Sequence, residues 1–452
     1  MTAGGGARAG RRAARRRMIP DAARAGAAYR LPSPTGRPRA GDGGRWGLVL
    51  GGGGVLGAAW LVGALDALQR VRGVDARDAE IIVGTSAGSV IGGLLAGGVP
   101  VEELMAQQRG ESTVGAAPIA HEDYDTPAGP PVPPRPALRP GNARIITRNA
   151  RRLRRMPPTT VLSGFVPAGR GSMPAVGRLI ETVVPAGSWA DHPGLRVVAV
   201  DYDSGRRVAF GAPGAPEAGL AEAVLASCAI PGWFAPVEIG GVRYVDGGVW
   251  SATNADLLAG HDLDEVVVLA PMFSVRYDRP ADWRARVERR WRARVTRRAM
   301  AEAAKVNRGG TAVTMLGPGP EDLQLIGFNL MASNRRADVL EASRRTSLAA
   351  LQSPVAPPKA PAEAADAAQA AAAADKPAAD LDRPVIDLAA AERTRLIDLD
   401  AVAADETATE EPGAGQADGA EPTGAEPTGA EPTADEPGVE SQAPAESQGE
   451  RR

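Results

Sequence analysis

Ser86 stands in Gly84-Thr-Ser-Ala-Gly88, and its neighbours decide what its hydroxyl can do. A serine is a poor nucleophile until it is exposed, held and relieved of its proton. The spacing G-x-S-x-G sets it on a tight turn between a strand and a helix, where flanking glycines tolerate the crowding. The helix that follows would aim its first N–H groups at the same point. Asp246 is the second candidate, in Tyr244-Val-Asp-Gly-Gly248, where Gly247 and Gly248 let the backbone turn after a strand. A carboxylate within hydrogen-bond reach of a serine can take its proton directly. Gly52-Gly53-Gly54-Val-Leu-Gly57 is the third motif. A run of glycine N–H groups can hold an oxyanion with donors fixed before the charge develops.

Each motif has rival readings. Gly52, Gly54 and Gly57 also match a dinucleotide-binding loop. That loop wants an acidic residue at the end of the next strand, and the next strand runs into Gly84-Thr-Ser86 instead. A phosphate loop would need Gly-Lys-Ser/Thr, which is absent. A plain strand-to-helix turn remains open. The base has a rival too. Of the three histidines, His121 falls in an irregular stretch and His192 in a turn. His261, in Gly260-His-Asp-Leu-Asp264, is the one that could complete a Ser-Asp-His triad of the α/β-hydrolase kind. No spacing of His or Cys suits a metal, and no cofactor is expected. Cys228 lies in the apolar run Ala223–Ile230 and reads as an inert buried thiol. A single cysteine permits no internal disulfide and fits a reducing compartment.

The elements that must position these residues alternate. Trp46–Leu50 reads as a strand, Val55–Val71 as a helix, Ile81–Val83 as a strand, and Val90–Leu95 as the start of a helix. Strands are expected again at Leu195–Val200, Val242–Val245, Glu265–Ala270 and Thr311–Leu316, with helices at Leu220–Ala229 and Arg335–Leu351. Tyr202–Phe210 reads as a hairpin arm. Alternation of this kind predicts an α/β fold, a mostly parallel central sheet with helices on both faces. Residues from about 110 to 172 break the pattern with a proline-dense stretch and an arginine cluster, and read as an insertion over one end of the sheet.

Charge divides the chain. Ser353 to Arg452 holds 22 Asp and Glu against 7 Lys and Arg, a net −15. With −2 overall, the remainder carries +13. Residues 353–452, rich in Ala, Pro and Glu with a five-residue Ala-Glu-Pro-Thr-Gly repeat, are expected to be a disordered acidic tail. Residues 1–44, rich in Gly, Ala, Arg and Pro, are expected to be a disordered basic tail, leaving 45–352 as one domain. No apolar run is long enough to span a membrane, and no secretory signal is evident, so a cytoplasmic protein is expected. A long basic helix is expected over 282–306. Trp283, Val287, Trp291 and Val295 recur every four residues within it, among eight arginines. Either the stripe packs on the domain, or the helix lies on an anionic membrane surface. No nucleic-acid-reading motif is present.

Glycine loop, G-x-S-x-G and Asp-Gly-Gly, each after a strand and in this order, resemble the patatin-like phospholipases. The resemblance runs from about Trp46 to Asn254, and by fold to about Gln352. Ser227-Cys-Ala-Ile-Pro-Gly232 and Thr253-Asn-Ala255 resemble the family's segments before and after the aspartate. It implies a three-layer α/β/α fold, Ser86 as nucleophile, Asp246 as base, and Gly52, Gly53 and Gly54 as oxyanion donors, with Gly57, Gly84, Gly88, Gly247 and Gly248 in support. It implies a lipid ester as substrate and hydrolysis through an acyl-enzyme. Many members carry Arg or Lys where this chain has Leu56, which favours simple esters, lysolipids or neutral lipids over phosphate-bearing ones. A non-catalytic scaffold that binds lipid or a partner is the remaining alternative, and the oligomeric state is open.

Overall fold

A computed structural model of the chain describes residues 27–111, 141–142, 156–274 and 282–353. The expectations for residues 1–26, for 354–452 and for most of the insertion, His121 included, lie outside the described residues. In chain order the strands are β1 (Ala27–Leu31), β2 (Trp46–Leu50), β3 (Ile81–Thr85), β4 (Leu195–Asp201), β5 (Arg207–Phe210), β6 (Val237–Ile239), β7 (Val242–Asp246), β8 (Glu265–Leu269) and β9 (Ala312–Gly317). The helices are α1 (Gly54–Arg72), α2 (Ala87–Ala96), α3 (Val101–Arg109), α4 (Pro158–Phe165), α5 (Pro174–Glu181), α6 (Leu220–Cys228), α7 (Trp283–Arg308), α8 (Pro320–Ile326) and α9 (Arg336–Gln352).

Strands pair in the order β1-β9-β8-β2-β3-β4-β7-β6, with β5 also on β4. The five from β9 to β4 are parallel, and the outer ones join antiparallel. The central strands are apolar at nearly every position because helices cover both faces. Successive side chains point to opposite faces. Leu48 and Leu50 therefore join a core with α1, α2, α6 and α9, while Val49 joins the opposite core with Ala299, Ala303 and Val306 of α7. This is the three-layer α/β/α sandwich with a mostly parallel sheet that the sequence pattern implies.

One expectation needs correction, and one open alternative is narrowed. Ordered structure starts well before Trp46. β1 pairs along β9 from Ala27↔Gly317 to Leu31↔Val313, and Tyr29 packs edge-on against Phe273 with ring centroids 6.0 Å apart. The five-residue strand is hidden in a glycine- and arginine-rich segment whose average composition reads as a tail. Of the two readings left open for the α7 stripe, packing on the domain is not what is found. Its Trp283, Val287 and Trp291 are 62%, 53% and 41% exposed. The face against the domain begins instead with Glu288, Arg289, Arg292 and Thr296. Glu288 accepts hydrogen bonds from both arginines, and Arg292 donates also to the Pro271 carbonyl. Paired and hydrogen-bonded in this way, charged groups can be buried.

Candidate active site

The site is built on one edge of β4. Thr85, the last residue of β3, lies opposite Val198, and Asp246, the last of β7, lies opposite Ala199. β5 occupies the other edge at both positions. β3 and β7 therefore run toward each other along the same edge and end side by side. Ser86, just past the end of β3, and Asp246, at the end of β7, are brought together by this backbone register.

Ser86 has φ 52° and ψ −121° at the N-terminus of α2. A side chain bearing Cβ rarely adopts this left-handed conformation, and such strain recurs at functional turns. The neighbouring glycines are steric necessities. A Cβ on Gly88 would fall on the Leu50 carbonyl, and one on Gly84 would lie 2.6 Å from Ser89 Cα. The Ser86 N–H donates to Ser227 Oγ at 2.9 Å, and Ser227 in turn donates to the Val198 carbonyl at 2.6 Å. Ser227 thus ties the turn to the strand that sets the register. Its place in the Ser227–Gly232 segment was the one sequence signal that pointed to it.

Asp246 is buried. It accepts a hydrogen bond from the Gly248 N–H at 2.6 Å, and the Ser86 side chain is close enough to act on its charge. Burial pushes its pKa up to about 6, against the influence of Gly248 and Ser86, which favour the carboxylate. Cys228 lies beside the pair, and its thiol is pushed up to about 12 by burial and by the Asp246 charge. It stays protonated at neutral pH, so it does not compete as a nucleophile.

The glycine loop passes directly beside the serine: a Cβ on Gly52 would come within 3.3 Å of Ser86 Cβ. Not all its donors are free. The Gly52 N–H donates to the Ala252 carbonyl at 2.8 Å, so Gly52 shapes the loop instead of offering its N–H. The N–H groups of Gly53, Gly54 and Ala87 have no hydrogen-bond partner among the described residues. Ala87, at the start of α2, adds a donor on the serine's own turn.

Below the pair, Asn254 takes a left-handed conformation (φ 53°) and donates to Thr85 Oγ1 at 3.1 Å. Glu302 of α7 accepts from Thr253 Oγ1 at 2.6 Å and from the Ala255 N–H at 3.1 Å. Burial and the nearby Asp256 raise its pKa. Trp250 lies between the guanidinium groups of Arg207 and Arg298. The segment after Asp246 is thereby fastened to α7, a role that sequence spacing did not reveal.

The histidines lie elsewhere. His261 is exposed, close enough to Glu80 to act on its charge. Glu80 precedes β3 and Ser86 follows it, so about 20 Å of strand, at roughly 3.3 Å per residue, separates them. His192 is fixed at the same far end. Its Nδ1 accepts from the Gly194 N–H at 3.1 Å, and its Nε2 bonds to the Ala79 carbonyl at 2.9 Å. Neither reaches Ser86. No helix among the described residues is long and apolar enough to cross a membrane.

VipD from Legionella pneumophila has a similar solved structure, with 16% identity and a TM-score of 0.35 over 77% of this chain and 78% of that one. The type III effector protein ExoU is similar at 16% identity and a TM-score of 0.27, over 70% of this chain and 54% of its own length. No curated protein sequence matches. The model of the patatin-like phospholipases matches residues 48–259, a span that holds the glycine loop, Ser86 and Asp246, so this part of the chain is a patatin-like phospholipase domain.

Proposed function

We propose that this chain is a serine acyl-ester hydrolase that cleaves lipid esters with a Ser86–Asp246 dyad. The observation that carries the reading is the placement, by strand register, of a strained, elbow-mounted serine beside a buried carboxylate. Asp246 takes the hydroxyl proton as Ser86 attacks the acyl carbonyl. The N–H groups of Gly53, Gly54 and Ala87 receive the oxyanion. The alcohol leaves with the proton from Asp246, and water, deprotonated by the same carboxylate, cleaves the acyl-enzyme. Leu56 is fully buried, so the loop presents no cation to a head-group phosphate. Lysolipids and neutral lipid esters suit it better than phosphate-directed binding.

The exposed apolar residues point to a lipid surface as the source of the substrate. α7 meets the domain at Pro271, just past the end of β8, and Trp283 lies nine residues farther out, about 13 Å along the helix. α4 hangs on the turn after Asp246, where Thr159 and Thr160 donate to the Val249 carbonyl, and it exposes Leu162 and Phe165. Phe328 is exposed near Leu330, whose carbonyl caps Leu56 of the glycine loop. Each belongs to a segment that leads to the end of the sheet where Ser86 opens, and Arg284 of α7 lies over the Trp283 ring. That combination suits an anionic lipid surface seated over the site.

The test is hydrolysis of a medium-chain nitrophenyl ester and of lysophospholipid by wild type, Ser86→Ala, Asp246→Asn and His261→Ala. The dyad requires the first two variants to lose at least about a thousandfold in kcat and the third to keep full activity. Loss of activity in His261→Ala would defeat it, and an inert wild type would return the scaffold reading.

A further inference from the structure

Arg30 of β1, Arg39 of the loop that follows, and Arg72 at the end of α1 converge on one cavity of about 320 Å³. Asp42, Thr314 and Leu351 complete its wall. Among the described residues only Arg72 is matched by an ion pair, 3.3 Å to Glu265. That carboxylate is fully buried beneath, where it also accepts from the Ala40 N–H and the Thr314 hydroxyl. Arg30 Nε is buried without a hydrogen-bond partner. The Arg39 side chain has neither a hydrogen bond nor an ion pair among the described residues, although its carbonyl accepts from the Asp42 and Gly44 N–H groups. Leaving a buried donor unsatisfied costs stability, and burial with the adjacent Arg39 and Arg72 lowers the Arg30 pKa. An anion in the cavity would relieve both costs.

We propose that this cavity is a second binding site, for a small soluble phosphomonoester that also carries hydroxyl groups. Guanidinium forks match phosphate oxygens in shape as well as charge. The cavity is larger than a bare ion needs and falls in the range of small-molecule sites. Asp42 faces the same space; it would repel a bare anion but accept a hydrogen bond from a hydroxyl. Position decides the source. α1 runs 19 residues from the glycine loop to Arg72, about 28 Å at 1.5 Å per residue. A lipid surface seated over Ser86 therefore cannot present its head groups here, whereas a solute can reach both ends.

The experiment is calorimetric titration of the full chain with glycerol 3-phosphate at constant ionic strength. Inorganic phosphate, glycerol and phosphatidic-acid vesicles serve as the other arms, and Arg39→Ala and Arg39→Glu as variants. Arg39 is exposed and outside every helix and strand, so both variants should fold. The expected result is saturable one-site binding of glycerol 3-phosphate, tighter than inorganic phosphate, with glycerol silent. Arg39→Ala should weaken it about tenfold, the loss of one charge-assisted hydrogen bond, and leave nitrophenyl ester turnover unchanged. The proposal is overturned by an absence of saturable binding, by equal affinity in Arg39→Glu, or by binding to the vesicles alone.

Discussion

Thr85 and Asp246 lie opposite consecutive residues of β4, Val198 and Ala199, on the same edge of that strand. The approach of Ser86 to Asp246 is therefore fixed by ladder hydrogen bonds in the middle of the sheet, where backbone movement is most costly. Sites held by such rigid elements keep their geometry better than sites on loops. The same register places Gly247 against the Val198 carbonyl, too close for a Cβ.

Ser227 tests that coupling. Ser227→Ala removes the acceptor for the Ser86 N–H and the donor to the Val198 carbonyl. An unpaired buried group costs about 1–3 kcal/mol. We expect a lower melting temperature and a kcat reduced about ten- to a hundredfold, with KM little changed, on a soluble ester. An unaltered kcat would show that the turn holds its shape without this serine.

Asp246 sets the pH profile. As a base it must be ionised, and burial raises its pKa to about 6. In the free enzyme kcat/KM should rise with pH through about 6 and level off above. A profile already flat at about pH 5 would mean that the working base is an ordinary exposed carboxylate, or none.

The same burial makes Asp246 a cost to folding. Its folded pKa of about 6 lies above the ordinary 3.8, so the folded state holds its proton more tightly. The stability this brings is complete below about pH 4 and is lost as pH rises through about 6. The gap amounts to about 3 kcal/mol. Asp246→Asn keeps the shape without the charge. It should therefore melt higher than wild type at about pH 8 and equal to it at about pH 3.5, while inactive at both. Thermal denaturation at the two pH values is the measurement.

The sheet and the motifs were legible because their signals are local. Apolar runs such as Glu265–Ala270, with glycines at sharp turns, allow few other conformations. β1 was not legible. Ala27 to Leu31 has one aromatic and two alanines, and it becomes a strand only because the β9 edge offers partners. The orientation of α7 was not legible either. Its tryptophans recur on one face as a core stripe would, but the domain takes the neighbouring face through Glu288, Arg289 and Arg292. Pairing of those charges depends on Pro271 and Leu323, which are remote in sequence. The Gly52 N–H looked available for a similar reason, since its acceptor, Ala252, lies 200 residues away.

That exposed stripe separates a structural role for α7 from an interfacial one. Trp283 and Trp291 are 62% and 41% exposed, so a Trp283→Glu, Trp291→Glu double variant removes little packing. Its stability should change by less than about 1 kcal/mol. On vesicles containing anionic lipid, each buried tryptophan would have contributed apolar area worth about 2 kcal/mol, and the new carboxylates repel the surface. Vesicle binding should fall at least about tenfold, and hydrolysis of vesicle-borne lipid should fall with it. Hydrolysis of a soluble ester should not change, because the contacts that fasten Asp246 to α7 run through Arg298 and Glu302, on later turns. If the soluble ester is lost as well, α7 holds the site together instead of delivering it to a surface. If neither is lost, the lipid reaches Ser86 by another face.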